Sequence, residues 1–264
     1  PELDTGDSAE PAADEADAEE PAADAAAGAS MALKGLIATN LVLSDVRVTV
    51  FNSDIRAGGD LTVLARNAAQ IDAENSAKAD ADGAAVGVTL AFNTIGWKAQ
   101  NVLFSALDTL LGTSIGEEQP AQIFATVTGS NLRADGNLSI DAEAKEQINA
   151  TIANEAASSG ASVAAGMVLA SNLLSARART SVGPALNTPR RVTLSAGGSL
   201  QVSATDEAGI LADVSMIASS GGAAAVGGLV VRNDIRSQVI AEVDNVDGAA
   251  VEDFTVLALE SATI

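Results

Sequence analysis

The hydrophobic positions alternate with polar ones along most of the chain, and the alternation recurs in blocks. One block reads Leu61-x-Val63-x-Ala65-x3-Ala69-x-Ile71, then Leu138-x-Ile140-x-Ala142-x5-Ile148. It returns as Leu200-x-Val202-x-Ala204-x3-Ala208-x-Ile210 and as Phe254-x-Val256-x-Ala258-x3-Ala262-x-Ile264. A short turn-forming residue precedes each copy: Asp60, Asn137, Ser199 and Asp253. Three copies also follow a Gly bend, at Gly58-Gly59, Asp135-Gly136 and Gly197-Gly198. Side chains spaced by two share one face of a strand, so Ile148, Ala150 and Ile152 point one way and Asn149, Thr151 and Ala153 the other.

A second block ends in an Asn followed two places on by an aliphatic residue: Asn40/Val42, Asn93/Ile95, Asn172/Leu174 and Asn233/Ile235. The uninterrupted copies give a period of about 53 residues, and the second and third copies carry insertions. Three of the six prolines are near the start, and the others (Pro120, Pro184, Pro189) all fall in those insertions. Proline cannot donate to a sheet ladder, so its exclusion from the blocks supports strands. Units of this size have no core of their own and gain one by stacking. The pattern therefore predicts an all-β fold: a right-handed parallel β-helix (β-solenoid) of about four repeats, with roughly three coils in each 53-residue unit. The alternative is an antiparallel elongated sandwich or meander, with the Gly bends as hairpins. Residues 97–112 carry a helical pattern, Leu103, Leu107, Leu110 and Leu111 beside Phe104, with Gly112 as the stop. One short helical insertion is expected near 96–119, and Gly183 to Arg191 is expected to be an exposed loop.

Composition changes the picture at the N-terminus. Residues 1–30 hold ten acids, eleven alanines, three prolines and no base, so they are expected to be a disordered acidic linker before a repetitive region at 31–264. The net charge is −21, with no His, Cys or Tyr. That excludes His-dependent triads, thiolate nucleophiles, imidazole or thiolate metal sites and disulfides. A field this negative argues against nucleic acid as a partner. No run of 18 apolar residues occurs, so no transmembrane helix is expected.

The segments Ile55-Arg-Ala-Gly-Gly-Asp-Leu-Thr-Val-Leu-Ala65, Leu132-Arg-Ala-Asp-Gly-Asn-Leu-Ser-Ile-Asp-Ala142 and Leu194-Ser-Ala-Gly-Gly-Ser-Leu-Gln-Val-Ser-Ala204 resemble repeats of large secreted bacterial exoproteins. Those are the filamentous-haemagglutinin-like and autotransporter-passenger adhesins. The resemblance covers roughly residues 32–264. It implies a β-helical stalk or display scaffold at the bacterial cell surface or outside the cell, acting without catalysis and carrying over no catalytic residue. The fourth block stops at Ile264, where the other three copies continue for about ten residues, so a segment of a longer protein is expected, stacked on neighbouring repeats of the same polypeptide.

Candidate chemistry is sparse, and no catalytic, cofactor-binding or metal site, and no cofactor, is assigned. Asp80 with Asp82, and Asp244 with Asp247, pair carboxylates before a Gly, but neither matches a calcium loop and both read first as turns. Gly87, Gly166 and Gly227 each lie six residues before a repeat Asn, a register that points to close strand packing. Two rivals to the stalk remain. One is a glycan- or protein-binding module that uses Trp97 and Phe104 of the insertion on a host or neighbouring cell. The other is a β-helix polysaccharide lyase or hydrolase, which needs Lys or Arg and acids gathered on one face.

Overall fold

A computed structural model describes residues 30–98, 106, 109–110, 118–160, 162–184 and 190–264. Its strands run β1 (Met31–Val42), β2 (Asp45–Phe51), β3 (Asp54–Ala57), β4 (Leu61–Asn67), β5 (Gln70–Ala81), β6 (Ala84–Ile95), β7 (Ala121–Thr128) and β8 (Asn131–Ala134). They continue with β9 (Leu138–Ala144), β10 (Gln147–Ser158), β11 (Val163–Gly183), β12 (Val192–Ala196), β13 (Leu200–Ser220), β14 (Ala224–Val243), β15 (Val246–Ala250) and β16 (Phe254–Thr263).

Every ladder between these strands is parallel, which sets aside the antiparallel sandwich. Among the described residues the one antiparallel contact, between Trp97 and Glu118, is an isolated bridge at the base of the insertion. Three sheets result: a long one from β1, β6, β11, β7, β2 and β14, a second long one from β4, β9, β13, β10, β5 and β16, and a short one from β15, β12, β8 and β3. The chain passes through all three in turn, as β1–β5, then β6–β10, β11–β13 and β14–β16.

The sequence repeats are the structural columns. Leu61, Leu138, Leu200 and Phe254 stack in register, as do Ile71, Ile148 and Ile210. Asn40, Asn93, Asn172 and Asn233 form another column. Because each residue pairs with its counterpart one whole repeat away, one unit makes one circuit, and the expected three coils per unit is corrected. The reason is strand length: the strands run unbroken for 12 residues in β5 and β6 and 21 in β11 and β13, so the Gly bends are corners of a large circuit.

The inward positions of all three sheets build one core, which includes Ile95, Ile123, Leu138, Ile140, Ile148, Ile152, Leu174 and Leu200 of the long sheets and Leu194 of the short one, all fully buried. Beside that core the long sheets converge at the bends joining β5 to β6 and β10 to β11. There Gly87, Gly166 and Gly227 form a column without Cβ atoms. A Cβ on Gly87 would come within 2.6 Å of Asn154 Oδ1, and one on Gly166 within 2.9 Å of Met216 Sδ, so the close packing read from their register is present. At the corner before the short sheet, Asn52, Gly129 and Asn245 occupy equivalent places with left-handed backbone (φ 46°, 56° and 47°), where Asn and Gly are the tolerated residues.

Within the insertion, Ala106, Thr109 and Leu110 are helical, Trp97 and Lys98 are not, and the rest of the expected helix, including Phe104, lies outside the described residues. So do the N-terminal linker up to residue 29 and the centre of the second insertion, residues 185–189.

Candidate functional site

Polar side chains stack as regularly as apolar ones. In the Asn column each amide donates onward: Asn40 Nδ2 to Asn93 Oδ1, Asn93 Nδ2 to Asn172 Oδ1 and Asn172 Nδ2 to Asn233 Oδ1, each at 2.8 Å. Asn93 and Asn172 are fully buried, so the ladder satisfies amides that would otherwise be costly inside a core. The turn residues do the same with backbone: Asp60 Oδ1 accepts from Asn137 N at 2.7 Å, and Asn137 Oδ1 from Ser199 N at 2.9 Å.

A second polar column crosses the core where β4, β9 and β13 meet the following segments. Glu146 stands where the other repeats place Ala69, Ala208 and Ala262. Its side chain is fully buried, with Oε1 accepting from Asn67 Nδ2 at 2.8 Å and Oε2 without a partner. Asn67 Nδ2 also donates to Ser44 Oγ at 2.7 Å. In the next pass Asp206 is 1% exposed, and neither of its oxygens has a partner of good geometry. Burial, then the charge of Asp206, pushes the Glu146 carboxyl up to about 8, against the Asn67 hydrogen bond and its own backbone N–H. Burial lifts Asp206 to about 6; the nearby Ser237 hydroxyl opposes the rise, and the charge of Glu260 adds to it. Near neutral pH Glu146 is therefore protonated and able to donate a hydrogen bond, while Asp206 is largely ionised. Both side chains are buried, so their titration bears directly on the stability of the fold. Sequence reasoning passed over Glu146, although the signal was present: its block alone reads x5 where the others read x3-Ala-x.

The outer face of the short sheet carries an open groove of about 800 Å³ that gathers charges of both signs. Asp54, Asn131, Thr193 and Asp247 form one row, and Arg56, Arg133, Ser195 and Ala249 another. Arg190, from the end of the second insertion, holds Asp54 at 2.8 Å, and Arg191 approaches Asp247 at 3.7 Å. The Arg190 and Asn131 hydrogen bonds hold the Asp54 carboxyl below the usual carboxylate range, so it is a poor general base at neutral pH.

At the base of the first insertion Trp97 is 2% exposed, with the Arg236 guanidinium 4.9 Å above its ring. Glu118 reaches Arg236 at 3.4 Å and accepts from Ser175 Oγ at 2.6 Å. Trp97 is therefore an anchor between the insertion and the sheet, not the exposed contact expected of a binding surface. The paired carboxylates are dispersed. Asp80 lies on β5 and Asp82 in the following bend, where it accepts from Ser159 Oγ at 2.7 Å. Asp244 lies at the corner before β15, and Asp247 within β15 beside Arg191. Among the described residues no three of His, Cys, Asp and Glu come together to hold a metal, and no helix is long and apolar enough to cross a membrane.

No protein-family model matches the chain, and neither a curated protein nor a solved structure does.

Proposed function

We propose that the chain is a right-handed parallel β-helix of four repeats that serves as a structural or adhesive module of a secreted bacterial surface protein. It works by extension and display, at the cell surface or outside the cell, and without catalysis. The observation that carries this reading is the unbroken register of the ladders: backbone, Asn amides and turn side chains all repeat from pass to pass. An array of this kind gains about 4.8 Å of length per added pass and needs no new core. The acidity keeps such arrays apart in solution. The exoprotein resemblance of the repeat segments agrees with this role.

One observation favours a second reading. The mixed Asp and Arg rows of the short-sheet groove meet the requirement for a polysaccharide-binding or cleaving face. Two assays on the surface-displayed chain separate the readings. Deleting residues 99–117, which spares Trp97 and Glu118, leaves adhesion unchanged under the stalk reading, and its loss overturns that reading in favour of an insertion that binds. Release of oligosaccharide from acidic polysaccharides, abolished by Arg133→Ala, would establish the groove as an active site.

A further inference from the structure

Beside the core the two long sheets converge into a two-layered flange. One layer is β5, β10 and the second half of β13; the other is β1, β6 and the first parts of β11 and β14. Alternation along each strand gives the flange two outer faces, and their chemistry is opposite. The face of β5 and β10 carries Asp72, Glu74, Lys78, Asp80 and Glu155, with Lys78 and Glu155 paired at 3.0 Å. The face of β1, β6, β11 and β14 has no charge across four rows. One row is Leu33, Val86, Ala165 and Val226, and the next is Gly35, Val88, Met167 and Gly228. Met31, Ala84 and Ala224 flank the first, and Ile37, Leu90 and Val230 flank the second. All of these are aliphatic, Met or Gly, on a chain of net charge −21.

This apolar face is open. Leu33 is 73% exposed, Ile37 and Val226 are 60%, and Met167 is 42%. It ends on one side where Phe92, Leu169 and Ser171 are buried. Because it lies along the side of the stack, its makeup is the same whatever stands above or below it. Four strands about 4.8 Å apart, each seven residues long at about 3.3 Å, give roughly 440 Å². An open apolar area of that size marks an interaction surface. Two copies meeting there would bury roughly 900 Å² between them, near the low end for specific contacts, so the pairing is weak and reversible.

The face also matches itself. A two-fold axis parallel to the stack, midway between the two central rows, turns the face over and lays each row on the other without changing the pass. Leu33 then meets the second copy's Gly35, Met167 its Ala165 and Val226 its Gly228. Large side chains meet small ones in three passes, and Val86 meets Val88 in the remaining one. Beside them Ala84 lies over Leu90 and Ala224 over Val230. No charges are brought together, whereas pairing through the opposite face would crowd Asp72, Glu74 and Asp80 against acids of the second copy. We infer that two copies of the chain pair side by side through this face, sheet on sheet about 10 Å apart, with their stacks pointing the same way. This pairing stands apart from the surface-protein reading, since it rests only on the side of the stack.

Sedimentation equilibrium of the full chain from micromolar to near-millimolar concentration tests it. The expected result is a reversible monomer–dimer equilibrium. Met167→Lys puts an unpaired charge into the contact and should weaken dimerisation by roughly tenfold or more, and Ala165→Glu should do the same. Mixed together, the two variants form a heterodimer, because the introduced Lys and Glu face each other across the two-fold axis. Circular dichroism and a urea midpoint equal to that of the wild type show that each is folded. Ile217→Lys, at a 58% exposed site on the opposite face, leaves the equilibrium unchanged. A wild-type chain that is monomeric throughout, a dimer that Ile217→Lys weakens as much as Met167→Lys does, or folded variants that fail to pair when mixed would each overturn the inference. So would binding to uncharged phosphatidylcholine vesicles by a chain that stays monomeric, which would assign the face to lipid.

Discussion

Replacing Glu146 by Gln should remove the part of the stack's pH dependence that runs up to about pH 8, leaving the Asp206 part up to about pH 6. The folded protein holds the Glu146 carboxyl at about 8 against an ordinary 4.5, chiefly because burial penalises the charged form. A folded value above the unfolded one means that the native state binds the proton more tightly. Stability is then fully present below about pH 4.5, and is lost as the pH climbs through about 8. At 1.36 kcal/mol per unit, the interval corresponds to roughly 5 kcal/mol, an upper figure because Asp206 titrates with it. Asp206 adds in the same direction between its ordinary value of 3.8 and about 6. Lys145, paired with Glu207 at 3.2 Å, and Glu260 are the other charges around the pair.

Gln keeps the shape of Glu146, still accepts from Asn67 and can donate an amide hydrogen to Asp206, but it cannot ionise. Urea unfolding followed by Trp97 fluorescence and circular dichroism at pH 5, 7 and 9 is the assay. Near pH 5 wild type and Glu146→Gln should differ by under about 1 kcal/mol, since the two side chains make equivalent hydrogen bonds. By pH 9 the variant should be more stable by several kcal/mol. Parallel stability curves across the whole range would refute the reasoning, because they would mean that the Glu146 carboxyl is not held above its ordinary value.

Other consequences follow from position in the stack. Asn93→Ala strands its two neighbours in the ladder and should cost roughly 2–5 kcal/mol in chemical denaturation, whereas Asn233→Ala strands only the buried Asn172 amide and should cost roughly 1–3 kcal/mol. Ile140→Ala, at a fully buried site, should cost roughly 2–5 kcal/mol, and Val256→Ala, two passes away in the same column, under about 1 kcal/mol. Gly87→Ala forces the buried Asn154 side chain to move and should destabilise by roughly 1–3 kcal/mol, while Gly58→Ala, with open space around it, should be near neutral. Arg236→Ala removes the cation over Trp97 and its bonds to Glu118 and Asp234, and should loosen the base of the insertion, read as faster proteolysis near residue 118.

Much of this fold was legible because a solenoid writes its pairing into its spacing. Aligning the blocks by eye placed Leu61, Leu138, Leu200 and Phe254 together, and those four residues are bonded neighbours. The Asn column and the glycines six residues before it were legible for the same reason, since each recurs at a fixed distance. The size of one circuit was not. A Gly bend looks the same whether it reverses a hairpin or turns a wide corner, so period alone does not say how many bends close a coil. Burial of the Glu146 and Asp206 pair was equally hidden. One odd residue in a repeated column is visible in the alignment, but which face of the strand it takes depends on the sheets that surround it. The role of Trp97 stayed open for a related reason: an aromatic residue at the root of an insertion is as suited to anchoring it as to displaying it.

The placement of the insertions explains how one architecture tolerates change. Residues 96–120 leave the stack between β6 and β7, and residues 184–191 between β11 and β12, both at places where the first and fourth passes simply turn or run straight on. Ile95 and Ala121 nevertheless pair with Leu174 and Ala176, which are only two positions apart in β11. The ladder on either side therefore keeps its register regardless of how many residues loop out. Loop closure costs grow only slowly with length, whereas a slip of one residue would turn every inward side chain outward. Substitutions should therefore be costly along the strands and insertions tolerated at these two exits. Variation in what the molecule contacts is expected to concentrate at the exits and in the short-sheet groove that Arg190 borders.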